Sequence, residues 1–253
     1  MIYDLQKASL WKRISAFLFD FILLGIASVL FAWLLSMALG YNGAQQRLED
    51  QYTRFSQQYG SDLKMSLDEY QALDEEDLAR MDEAYAAMGA DDQAMKAYSM
   101  VMWLSILIIS FGILLGCLSL EFFVPLKMGN GMTLGKRIFG LAVMHTEGIR
   151  LGTVALFVRT VLGKFAIEIM IPVILMLMVF WGSIGVMGPI ILFLILAVQA
   201  AVMLTTRTNA LIHDLLAGTV VVDFASQMIF DTREDMIRYK EQLAAEKAQQ
   251  EQY

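Results

Sequence analysis

Arg13, Asp20, Glu121, Glu168 and Asp214 lie in or against stretches of sequence otherwise too apolar to hold a charge. Ionisable groups at membrane depth are costly and are kept for ion or proton pathways, or for locking helices together. Arg13 and Asp20 are seven residues apart, which on a helix is two turns, one face and about 10 Å along the axis. An unpaired carboxylate in hydrocarbon stays protonated or finds a cation. Proton and cation relay is therefore one reading of Asp20, Asp214, Arg13, Glu121 and Glu168. The other is a buried charge network, in which Arg13, Asp20 and Asp214 are joined by Arg159, Arg137 and His213 and specify packing rather than chemistry.

Other chemistries fail on spacing. Gly129-Asn130-Gly131-Met132-Thr133-Leu134-Gly135-Lys136-Arg137 evokes a phosphate loop. A glycine would be needed at 130 and a Ser or Thr after Lys136, where Asn130 and Arg137 stand. His213-Asp214 has no nucleophile elbow of the Gly-x-Ser-x-Gly type beside it. No enzyme activity is expected. Two histidines and one cysteine, Cys117, weigh against a structural zinc site. Neither a metal nor a cofactor is expected, and nucleic acid is not an expected partner.

The elements that must position these groups follow from composition. Hydrophobic residues make up 57% of the 253 residues, charged ones 18%, and mean hydropathy is +0.55. That balance belongs to membrane proteins. We divide the chain into 1–41 (a basic N-terminus with Lys7, Lys12 and Arg13, then a first span over 14–39), 42–97, 98–126 (a second span), 127–164, 165–206 and 207–253. The first apolar run is too long for a signal peptide and lacks a convincing cleavage site. In the second span, Gly112 and Gly116 leave a flat face for another helix. Residues 165–206 exceed one ordinary span. Glycines from Gly182 to Gly188 and Pro189 break the stretch into spans at about 166–181 and 187–205, with one broken helix as the alternative.

Residues 42–97 carry thirteen acidic against five basic residues, a net charge of −8. Helix-favouring composition, a capping box at Ser66-Leu67-Asp68-Glu69, and breaks near Gly60 and Gly89 predict a water-exposed helical insert. Residues 127–164 hold Lys127, Lys136, Arg137, Arg150, Arg159 and Lys164 against Glu147 alone. Lys/Arg-rich short segments stay cytoplasmic, so the N-terminus, this loop and the tail are expected inside and the insert outside. Within the loop, 151–164 is predicted as an amphipathic helix on anionic headgroups. Val220–Val222 is predicted to pair with 139–143. The tail from Arg233 is helical in composition.

The segments Ala8-Ser9-Leu10-Trp11-Lys12-Arg13 leading to Asp20, Gly131 to Val143, Gly148 to Leu151, Phe157 to Thr160, and His213 to Val222 together resemble the RDD family of membrane proteins. Its arginine and two aspartates fall by motif position on Arg13, Asp20 and Asp214. Residues 42–97 are longer than the connection usual in that family. Hydropathy, charge and the resemblance together predict an all-α integral membrane protein with four transmembrane helices, an extracytoplasmic helical insert and a small cytoplasmic loop region. The resemblance also implies a multi-pass protein of a bacterial inner membrane. As proposed for some members, it implies exchange of monovalent cations for protons. Asp20 would then alternate between proton and cation, Asp214 would be a second carboxylate or the partner of Arg13, and Arg13 would tune or compete. The bilayer is the expected partner, and a homo-oligomer or membrane-protein partner stays open. The alternative is a non-transporting accessory or scaffold acting through its insert and tail.

Overall fold

A computed structural model describes residues 6 and 8–250, apart from residue 207; Lys7 lies outside the described residues. The chain is an all-α integral membrane protein. Four of its helices are long and apolar enough to cross a bilayer: α1 (Leu10–Ala38), α5 (Asp92–Met128), α7 (Thr153–Phe180) and α8 (Met187–Thr205). Their outward residues, such as Phe21, Trp33, Trp103, Phe180 and Phe193, are exposed. Large exposed apolar faces on spans of this length require a lipid environment.

The fold divides into two compact units, Val29–Gly112 and the remainder. In the first, α2 (Tyr41–Tyr59), α3 (Leu67–Gln71) and α4 (Glu75–Ala90) lie between the adjoining parts of α1 and α5. Phe55, Leu63, Met81, Ala84, Met88 and Ala94 form its core, flanked by Tyr52, Tyr59 and Leu73. The insert is thus a folded unit with an interior of its own. Each helix end is made by the residue the sequence offers for it. Gly60 closes α2 in the left-handed conformation at φ 63°. Ser66 and Glu69 complete the capping box of α3. Asp91 takes the backbone N–H of Ala94 at 2.9 Å and pairs with Arg54 at 2.6 Å. These bonds hold its carboxyl below the usual range.

The second unit carries the buried charges. It holds the N-terminal part of α1, the end of α5, α6 (Leu134–Ile138), β1 (Leu141–His145), α7, α8, α9 (Ile212–Ala217), β2 (Thr219–Asp223) and α10 (Arg233–Gln250). The strands pair antiparallel, Leu141 against Asp223 through His145 against Thr219. This is the pairing predicted for Val220–Val222. The sheet buries Ala142, Met144, Val220 and Val222 on one cluster, and Leu141, Val143 and Val221 with Ala16 of α1 on another. Alternate residues thus serve opposite faces.

The third span corrects the sequence reading. An interfacial helix ending at 164 and a span beginning near 166 were expected; one helix runs through Thr153–Phe180. Arg159 and Lys164 do not end the span, because each is neutralised inside the protein. Two stretches are π-helical, Leu118–Phe123 in α5 and Val158–Met170 in α7. Each carries a glutamate four residues before a proline: Glu121 before Pro125 and Glu168 before Pro172. Proline has no N–H, so it cannot donate to the carbonyl four residues back, and the regular ladder is interrupted. At Glu121 the loss is compensated: Thr160 Oγ1 donates to its carbonyl at 3.0 Å.

Candidate functional site

Asp20 enters the unit from α1 and is buried, 6% exposed. Its partners come from the glycine-rich motif. Thr133 Oγ1 donates to Oδ2 at 2.5 Å, and the backbone N–H of Gly135 donates to Oδ1 at 2.8 Å. Thr133 is also the N-cap of α6, accepting from the N–H of Lys136. The Lys136 ammonium donates to the same hydroxyl at 3.3 Å. Glycine is required at 135: a Cβ there would sit 2.5 Å from the Ala16 carbonyl oxygen and 2.9 Å from Asp20 Cγ. The segment that mimics a phosphate loop thus seats a carboxylate of its own chain.

Asp214 anchors the second centre. Arg159 donates to its Oδ1 from Nε at 3.0 Å and from Nη2 at 2.9 Å. Thr219 Oγ1 adds a bond at 3.0 Å, and Arg13 Nη2 stands 3.7 Å from Oδ2. Arg13 also donates to the carbonyl of Thr208 at 3.0 Å. Burial opposes ionisation of Asp214, but the Arg159 and Arg13 guanidiniums together hold its carboxyl well below the usual range. His213 Nε2 lies 2.9 Å from Arg159 Nη2. A guanidinium only donates, so this nitrogen accepts and Nδ1 carries the hydrogen toward Glu168 Oε2 at 2.7 Å. The His213 backbone N–H reaches the other Glu168 oxygen at 3.0 Å.

A third pair joins Glu121 of α5 to Lys164 of α7 by a short contact. The structure therefore unites Asp214, Arg159, His213 and Glu168 in one hydrogen-bonded chain, with Arg13 at ion-pair distance from Asp214. It seats Asp20 on Thr133 and Gly135, with Arg13 engaged elsewhere. Arg137 was expected in the network but is exposed on α6 and does not line the cavity between these centres. Thr133, Gly135, Lys136, Thr160, Lys164 and Thr219 were not singled out from sequence as partners. The Thr-x-Gly-Lys spacing, an N-cap followed by a residue with no side chain, was the available signal for the first three.

Arg13, Asp20, Lys136, Arg159, Lys164, Glu168, His213 and Asp214 all face one cavity of about 420 Å³. Phe17, Phe21 and Leu24 of α1, Pro172 of α7 and Leu196 and Gln199 of α8 are among the other residues of its wall. Among the described residues no cluster of His, Cys, Asp or Glu has the geometry to hold a metal ion. Close packing around the second centre is strict. A Cβ on Gly163 would lie 2.6 Å from His213 Cβ and 2.7 Å from its Cα. Gly163→Ala is expected to cost about 1–3 kcal/mol by overpacking, read as a lowered Tm in detergent; an unchanged Tm would show that α9 yields.

No curated protein and no solved structure matches this chain. The family model described as RDD family matches residues 7–218, which takes in Arg13, Asp20 and Asp214 together with the segments that seat them. The chain is a member of the RDD family.

Proposed function

We propose that this protein is a secondary transporter that exchanges monovalent cations for protons, with Asp20 as the carboxylate that alternates between them. One observation carries the reading. Among the described residues, Asp20 is the buried carboxylate of the spans with no basic side chain within ion-pairing distance, whereas Glu121 has Lys164 and Glu168 has His213. Its direct hydrogen bonds come from a hydroxyl and a backbone N–H. A carboxylate so placed, facing a cavity, takes a proton or a small cation. Asp214, saturated by two guanidiniums, is a fixed anion that holds Arg13 and Arg159 in place. The basic N-terminus and loop support a cytoplasmic side for the charged residues they carry.

The test is proton flux in proteoliposomes under an imposed pH gradient, with sodium, lithium or potassium added in turn. Cation-triggered collapse of the gradient is expected. Absence of flux from well-folded protein with every cation would sink the reading.

The accessory reading draws on a separate observation, the insert's own core and net charge of −8. Removal of residues 44–96 separates the two: a transporter keeps cation-dependent flux, while an accessory protein loses its cellular role.

A further inference from the structure

The same cavity has a donor surplus. Four basic side chains (Arg13, Lys136, Arg159 and Lys164) and three carboxylates (Asp20, Glu168 and Asp214) line it. Each carboxylate already accepts from the chain: Asp20 from Thr133 and Gly135, Glu168 twice from His213, Asp214 from Arg159 and Thr219. Lys164 is taken by Glu121. Two donors remain underused. The Lys136 ammonium makes one long bond, to Thr133 Oγ1 at 3.3 Å, and has no carboxylate in ion-pair range among the described residues. The amide nitrogen of Gln199 is fully buried with no hydrogen-bond partner. A buried donor left unmet costs about 1–3 kcal/mol, so a donor in a cavity of this size points to an occupant that brings acceptors. Pockets for small ligands span about 300–1,000 Å³, and this one, at about 420 Å³, falls among them.

The wall offers both halves of an amphiphile a surface. Charged groups come from the segments outside the spans (Lys136, His213, Asp214) and from the spans themselves (Arg13, Arg159, Lys164), while Phe17, Phe21, Leu24 and Leu196 of α1 and α8 supply apolar surface. Phe21 and Leu196 are more than half exposed, so the apolar side of the cavity continues onto surface that meets lipid.

We propose that the cavity binds the anionic headgroup of a membrane phospholipid, with Lys136 and Gln199 donating to its phosphate and an acyl chain lying along Phe21 and Leu196. The site shares its cavity and Lys136 with the transport reading, but lipid retention is measured without flux, so either reading can fail alone. The anion would neutralise the surplus ammonium and satisfy the orphaned amide, two tasks that no side chain among the described residues performs.

The test uses the full chain purified in a maltoside detergent, with Tm followed by intrinsic fluorescence and retained lipid counted by native mass spectrometry. The probes are dioleoyl-phosphatidylglycerol, dioleoyl-phosphatidylcholine and inorganic phosphate. Ligand linkage predicts that phosphatidylglycerol raises Tm by about 4 °C or more and stays bound in a one-to-one complex. Lys136→Gln and Gln199→Leu should each cut retained phosphatidylglycerol by about tenfold, the equivalent of one lost charge-assisted bond. Lys136→Arg should keep it, and so should Lys127→Gln, which removes an exposed charge away from the cavity. Equal shifts from both phospholipids, or full retention by folded Lys136→Gln, would overturn the proposal. A shift from inorganic phosphate with none from phosphatidylglycerol would make the site one for a free anion and overturn the lipid assignment.

Discussion

Arg159→Met is expected to destabilise the protein by about 3–5 kcal/mol, the cost of stranding a buried charge by removing its partner. Asp214 is 1% exposed and would keep only Arg13 at 3.7 Å, the Thr219 hydroxyl at 3.0 Å and a long backbone contact from Leu211 at 3.4 Å. The same change strands His213 Nε2, which loses its donor at 2.9 Å. Removing both charges, as in Arg159→Met with Asp214→Leu, should recover most of the loss, since an apolar pair of similar volume fills such a site well. Unfolding in detergent gives the magnitude; a loss below about 1 kcal/mol would show that Arg13 alone holds the carboxylate. The pH dependence has a fixed sign. The folded-state pKa of Asp214 lies below its ordinary value near 3.8. The group therefore contributes full stability above that value, and the contribution is lost as pH falls through the lower, folded value. Acid unfolding belongs below about pH 4, and Arg159→Met should move its onset upward.

Hydropathy made the spans legible because crossing a bilayer imposes length and apolarity on contiguous sequence. The first, second and fourth helices cover the stretches expected of them. The third was misjudged at its start for a physical reason. Arg159 and Lys164 read as loop residues in one dimension, and only three dimensions supply Asp214, 55 residues on, and Glu121, 43 residues back. The π-helical stretches had a signal in the two Glu-x-x-x-Pro spacings, visible once the carbonyl four residues before each proline is asked for its donor.

The charge centre was half legible. The intramembrane carboxylates stand out by type, but pairing does not follow from periodicity. Arg13 and Asp20 share a helix face, yet Arg13 turns to Asp214 and Thr208 while Asp20 turns to Thr133. A tight glycine approach decides this: with no side chain, Gly135 brings its N–H within 2.8 Å of Asp20. Arg137 shows the converse. It neighbours Lys136 in sequence but points outward, because consecutive helical residues lie about 100° apart.

Asp20→Asn is expected to reduce cation-dependent proton flux to the background of protein-free vesicles, because an amide can neither bind nor release the transported proton. Asn keeps the acceptor oxygen for Thr133 or Gly135, so the fold should survive with a change in Tm of a few degrees at most. A folded Asp20→Asn protein with undiminished flux would remove this carboxylate from the path. Thr133→Val separates charge from setting. It deletes the donor 2.5 Å from Oδ2 while leaving the carboxylate in place. Cation-dependent flux should fall in this variant without vanishing as it does in Asp20→Asn, and undiminished flux would show that the hydroxyl does not set the site. Lys136 sets the alkaline limb of the flux profile. Burial, with Arg159 and Lys164 repelling it against the attraction of Glu121 and Asp20, lowers its pKa to about 8. Below that pH Lys136 stands in the cavity as an ammonium, and above it the charge fades. Lys136→Met should therefore erase any inflection of the flux profile near pH 8, while Asp20→Asn erases the flux itself. An unaltered inflection in Lys136→Met would assign the alkaline limb to another group.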